Sequence, residues 1–72
     1  MSEFSKAAIF RIFKKAGELR VSEGAIRELS NALEEVGLEV AKQAMELATH
    51  AGRRTIMESD VKMAIKTVLR RA

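Results

Sequence analysis

Apolar side chains recur along this chain with the period of an α-helix, in three separate stretches. Ile9, Ile12, Phe13 and Ala16 fall at i, i+3, i+4 and i+7, one face of an amphipathic helix running from about Ser5 to Ala16. Gly17 follows at once, where a left-handed C-terminal cap is expected. Leu19-Arg20-Val21 reads as a short extended link, and Ser22 offers its hydroxyl as an N-cap for the next element. From Ile26 the apolar positions continue through Leu29, Leu33, Val36, Val40, Ala44 and Leu47, in steps of three or four. The spacing predicts one helix from Ser22 to His50, about 42 Å long at the standard rise, stopped by Gly52. Arg53-Arg54-Thr55-Ile56 forms a second short link. Val61, Ala64, Ile65 and Val68 then define a last helix over 58–71. Glu58 and Asp60 stand in its first turn and Arg70 and Arg71 in its last, both favourable to the helix dipole.

The expected architecture is therefore all-α: short helix, link, very long helix, link, short helix, in one domain spanning residues 1–72. Two short helices cannot cover all the apolar surface of the long one. The long helix is expected to cross its copy in a second chain. Gly37 lies next to the midpoint of 22–50, and an interior glycine costs a helix about 1 kcal/mol relative to alanine. A close crossing of two backbones there accounts for that cost; drift at a surface position is the competing explanation.

Composition narrows the chemistry. The 72 residues contain no cysteine, no proline and one histidine, so a disulfide is excluded and a metal site or other cofactor is not expected. A small core without such a staple points again to a partner chain. The absence of cysteine fits a reducing interior without proving one, and no secretory signal or membrane span is read, so a soluble chain is expected. The net charge is +3, unevenly spread: +3 over residues 1–20, −4 over 21–50 and +4 over 51–72. Basic ends around an acidic middle suit a polyanion held by the terminal thirds, although a solvated surface with chance clustering fits as well. No catalysis and no small-molecule substrate are expected. There is no nucleophile–base pair and no Gly-rich phosphate loop, and Glu34, Glu35 and Glu39 read as a solvated face.

Specific strings carry a resemblance. Lys14-Lys15-Ala16-Gly17, Arg20-Val21-Ser22, Leu33-Glu34-Glu35 and above all Ala48-Thr49-His50-Ala51-Gly52-Arg53-Arg54-Thr55-Ile56 with Glu58-Ser59-Asp60-Val61 resemble archaeal histones over most of residues 9–68. The resemblance implies a histone fold in which two chains interlock in a handshake. Val21 of one chain would pair with Thr55-Ile56 of the other as a short parallel β-contact, bringing Arg20, Arg54 and Thr55 together as DNA phosphate ligands. Arg11 and Lys14 match basic positions facing DNA near the dimer's centre, Arg11 as the arginine that enters the minor groove. Arg53 and Asp60 match an internal ion pair holding the second link. Leu47, His50 and Asp60 match a dimer-to-dimer contact; His50 also reads as an ordinary polar residue in a last helical turn.

The function implied is sequence-nonspecific binding and compaction of double-stranded DNA by a homodimer, in the cytoplasm on the chromosome (nucleoid), with larger assemblies on DNA. The main rival is a histone-fold protein that pairs with a different histone-fold chain in a transcription or chromosome-maintenance complex and touches DNA little. A designed helical bundle explains the periodicity but not the strings. The chain departs from the family pattern in three places. Its Met1-Ser2-Glu3-Phe4-Ser5 start lacks proline, Phe10 stands before Arg11 where a small residue is usual, and Met57 occupies the place of a polar cap. Phe10 could pack on the dimer, wedge toward the groove or alter the DNA path.

Overall fold

The computed structural model describes residues 4–71; the Met1-Ser2-Glu3 start and the side chain of Arg71 lie outside the described residues. Three helices follow in order: α1 (Lys6–Ala16), α2 (Glu23–His50) and α3 (Glu58–Arg71). No strand occurs among the described residues. The helix boundaries agree with those predicted once the capping residues are set apart from the helices.

The reason lies in the ends. Ser5 has extended backbone and its hydroxyl accepts from the Ala8 N–H at 3.1 Å. Ser22 does the same for the Ala25 N–H at 3.0 Å. Each serine thus satisfies one of the donors that the first turn of a helix leaves without a partner. At the far end of α2, Gly52 has φ +74°, the left-handed conformation that glycine adopts without a Cβ clash. Its N–H donates to the Thr49 carbonyl at 2.9 Å, and the Arg53 N–H donates to the Ala48 carbonyl at 2.9 Å. That pair of bonds is a Schellman closure.

Gly17 corrects the expectation made for it. Its backbone is extended, with φ 175° and ψ −169°, and not left-handed. Its N–H still reaches the Phe13 carbonyl at 3.1 Å, closing the last turn of α1 before the chain straightens into the link. Because a second bond beyond the helix end is not made there, the chain needs no left-handed residue to leave α1.

The chain divides into two compact units, residues 1–35 and 36–72, with α2 running through the division. In the first unit Ile9 is the one large side chain that is fully buried among the described residues, and Ser30 is buried with it as a polar residue. A surface ion pair joins Lys6 of α1 to Glu23 of α2 at 3.6 Å. With both groups largely exposed, such a pair contributes little. In the second unit the buried side chains are small: Ala44 and Ala48, one turn apart on α2, and Ala64 on α3. Much larger apolar groups stay at the surface, including Val36, Leu38 and Met45 of α2 and Met63, Ile65 and Leu69 of α3. This chain by itself therefore buries little of its apolar surface, and water covers side chains that a core would ordinarily take.

Candidate nucleic-acid interface

The second link is shaped by one guanidinium. The left-handed turn at Gly52 sends the chain away from α2 with Arg53 as its first residue. Arg53 Nη1 donates to Asp60 Oδ2 and Nη2 to Asp60 Oδ1, both at 2.8 Å. This parallel fork is the strongest geometry available to an arginine–carboxylate pair. Nη1 also donates to the Thr55 carbonyl at 3.0 Å, so the same group pins the backbone of the link. Asp60 completes the arrangement: its Oδ2 accepts from the Met57 N–H at 2.7 Å.

That last bond explains how α3 starts without a polar residue at Met57. Asp60 is the third residue of α3 and reaches back to the backbone N–H of the residue before the helix, the reciprocal half of a capping box. The acidic side chain provides the cap that Met57 does not. An aspartate two residues inside a predicted helix start is the visible signal for it, although that placement reads first as a favourable contact with the helix dipole.

The Asp60 side chain is 6% exposed and that of Arg53 37%. The Arg53 fork, together with the Met57 N–H, holds the Asp60 carboxyl at about 2, well below the usual carboxylate range, although burial opposes the shift. The hydrogen bond to Asp60 in turn raises the Arg53 guanidinium above its ordinary value. The pair stays ionised throughout the physiological range.

The residues flanking this clip face outward. Arg54 and Thr55 are exposed on the link that Arg53 holds. At the first link, Arg20 is exposed beside Val21, which is half-buried. An open groove of about 460 Å³ runs along that link, lined by Phe13, Ala16, Leu19, Val21 and Ala25. Leu19 is 85% exposed, an apolar side chain left largely uncovered by the described residues. On α1, Arg11 and Lys14 are both exposed, and the Lys14 ammonium lies 5.2 Å from the centre of the Phe10 ring. That contact was not foreseen, although the four-residue spacing of Phe10 and Lys14 on a helix was its visible signal.

The remaining candidates are placed as follows. Leu47 is half-buried and His50 exposed at the end of α2, where a shallow groove of about 420 Å³ is lined by Lys42, Met45, Glu46, Thr49 and His50. Asp60 does not share that exposure, since both its oxygens are engaged within the chain. Gly37 lies in the interior of α2, and beyond its chain neighbours and the helix's own backbone no described atom comes within 4 Å of where a Cβ would stand. The structure thus joins Arg53 to Asp60. Arg11, Lys14 and Arg20 belong to the first unit, and Arg54 and Thr55 to the second. No group of three or more His, Cys, Asp or Glu among the described residues converges on a metal position. None of the described helices is long and apolar enough to cross a membrane.

Comparison with known proteins gives this arrangement its family. The chain is 48% identical to a chain of the archaeal histone HAN1 of Thermococcus zilligii over 66 residues, which cover 92% of this chain and 98% of that protein. It is 47% identical over 66 residues to a probable archaeal histone 3 of Methanocaldococcus jannaschii, with the same coverage. Similarity extends to a histone H4 of Encephalitozoon cuniculi, 42% identical over 62 residues that span 86% of this chain and 60% of the histone. Residues 2–65 match the family described as histone-like transcription factor (CBF/NF-Y) and archaeal histone. The short, long and short helices, capped and linked as described, are the histone fold, and the chain belongs to this family of histone-like transcription factors and archaeal histones.

Proposed function

We propose that this chain packages duplex DNA as an interlocked homodimer that grips the phosphate backbone and does not read base sequence. The observation that carries the reading is the Arg53–Asp60 fork, which also holds the Thr55 carbonyl and leaves Arg54 and Thr55 outward on a fixed link. A basic residue on a link whose backbone is held is suited to a phosphate, because less backbone freedom is left to lose on binding. In the dimer Val21 of one chain pairs with Thr55-Ile56 of its partner, setting Arg20 beside Arg54 and Thr55 at each end. Arg11 and Lys14 add contacts near the centre, Arg11 in the minor groove, the general mode of histone octamers on DNA.

Dimerisation is supported by the apolar groups that one chain leaves in water, Val36, Leu38, Met45, Met63, Ile65 and Leu69 among them. The two α2 helices cross near Gly37. Dimers then join through Leu47 and His50. Asp60 contributes to that contact only by sharing an oxygen already engaged with Arg53 or Met57. The protein works on the chromosome and performs no catalysis.

A second reading is favoured by the same exposed apolar face: pairing with a different histone-fold chain in a transcription or chromosome-maintenance complex. Nuclease digestion of long random-sequence DNA bound by the purified chain separates the two. Packaging predicts a protection ladder of regular repeat, lost in His50→Ala while short duplexes are still bound. A smear with the parent chain contradicts packaging by stacked dimers, and failure to bind duplex at all favours pairing with another chain.

A further inference from the structure

The last third of the chain carries more positive charge than the DNA contacts above use. Residues 51–72 hold six basic and two acidic side chains. Arg53 is neutralised by Asp60, and Arg54 is given to the duplex. The remaining excess lies on α3. Lys62, Lys66 and Arg70 are exposed and follow one another in four-residue steps, a stripe about 12 Å long. Lys62 and Lys66 stand two positions from Ala64 on either side, and so opposite the face on which Asp60 and Ala64 are buried. Lys62 meets Glu58 at 3.0 Å with both groups largely exposed, a contact that contributes little. Lys66 and Arg70 make no side-chain hydrogen bond or ion pair among the described residues.

The exposed apolar groups of α3 flank this stripe, with Val61 and Ile65 to one side and Met63 to the other. Leu69 is the one large apolar group within it among the described residues. A protein partner laid on the stripe would thus bury little apolar surface, and exposed ion pairs alone contribute little. An anionic membrane holds a helix by sinking a bulky apolar face below the headgroups, which this face does not offer. A duplex needs no apolar contact. It presents about one charge per 1.7 Å, roughly 7 over the length of the stripe, and releases condensed counterions to each cation that it meets.

We propose that the outer face of α3, through Lys62, Lys66 and Arg70, is a second DNA site, by which a protein already bound to one duplex holds another. Bridging of this kind rests on the DNA-binding reading above. The second grip is the weaker: three cations predict a slope of log K against log salt of about −3. Rising salt therefore ends bridging well before it releases the first duplex.

The test loads the full-length protein on a bead-tethered duplex, washes away what is unbound, and follows capture of a second, dye-labelled duplex over a salt series. The parent is compared with the triple variant Lys62→Gln, Lys66→Gln, Arg70→Gln and with Glu28→Gln, Glu35→Gln, a change of two exposed carboxylates on α2. Each protein is also melted alone. The parent should capture the second duplex at low salt with a slope of about −3. The triple variant should melt like the parent, hold the tethered duplex within about two-fold and capture the second about ten-fold less. The α2 variant should capture at least as well as the parent, since a duplex gains nothing from those carboxylates. If the triple variant captures as the parent does, duplexes are joined through another face and the second site is overturned. It is equally overturned if that variant also loses the tethered duplex, which makes the stripe part of the first path, or melts lower, which makes it part of a protein interface. Loss of capture in the α2 variant would assign the stripe to the acidic α2 of a second copy. A parent that holds the tethered duplex and captures nothing overturns the second site while packaging stands. A parent that holds no duplex overturns the packaging reading, and bridging with it.

Discussion

Asp60 grips Arg53 with two parallel hydrogen bonds of 2.8 Å and closes the start of α3 with a third, at 2.7 Å from the Met57 N–H. One buried carboxylate thus serves a link and a helix end at once. Removing it leaves a charged guanidinium and a backbone donor without their acceptor, which usually costs more than the pair itself contributes.

Asp60→Ala should therefore lower the melting temperature by about 5–10 °C. It should also weaken DNA binding, although it removes a negative charge and simple electrostatics would have it strengthen. The loss follows from freeing the link that carries Arg54 and Thr55. Thermal melting and a duplex titration at one salt concentration check both parts. Tighter binding with unchanged stability would contradict the positioning role given to the pair.

The same carboxylate sets an acid limit. Its folded value of about 2 lies below the usual unfolded value of about 3.9. Below the unfolded value the unfolded chain binds the proton more readily, so unfolding gains from acid. The contribution of Asp60 is complete above about pH 4 and falls away as the pH drops toward 2. The difference in stability between parent and Asp60→Asn, followed over that window, should shrink as acid is added. A difference that stays constant would mean that Asp60 titrates alike in both states.

The clip was legible in part. The pairing of Arg53 with Asp60 followed from the histone-like string around them, and the ends of α2 followed from Ser22 and Gly52, whose capping chemistry is local. Gly17 was misread because a glycine after a helix signals an end, not the backbone angle with which the chain leaves it. The reach of Asp60 back to Met57 and of Arg53 to Thr55 depends on how a link folds against its own helix, which residue spacing alone does not specify. The Lys6–Glu23 ion pair left no local signal, since its partners are 17 positions apart.

Gly37 tells whether a second backbone passes close to α2. Among the described residues of one chain, nothing beyond the helix's own backbone and the chain neighbours stands within 4 Å of a Cβ added there. For an isolated chain Gly37→Ala should thus stabilise by about 0.5–1 kcal/mol through helix propensity. In a dimer crossed at this point, Gly37→Ala should gain less than that and Gly37→Leu should lower stability outright. Melting of both variants at two protein concentrations measures this, because linked folding and association also make the parent melt lower on dilution. A Gly37→Leu chain that melts at or above the parent's temperature places the crossing elsewhere.

The central claim is that exposed basic side chains hold the duplex by its phosphates, and its most direct test is the salt dependence of affinity on random-sequence duplex. A dimer using Arg11, Lys14, Arg20 and Arg54 twice each engages about 8 phosphates, which predicts a slope of log K against log salt of about −7. Duplexes of scrambled sequence and equal flexibility should bind within a few fold of one another. A slope near −7 with that indifference to sequence is the result this account predicts. A slope near zero, or strong selection of one sequence among equally flexible duplexes, would contradict it.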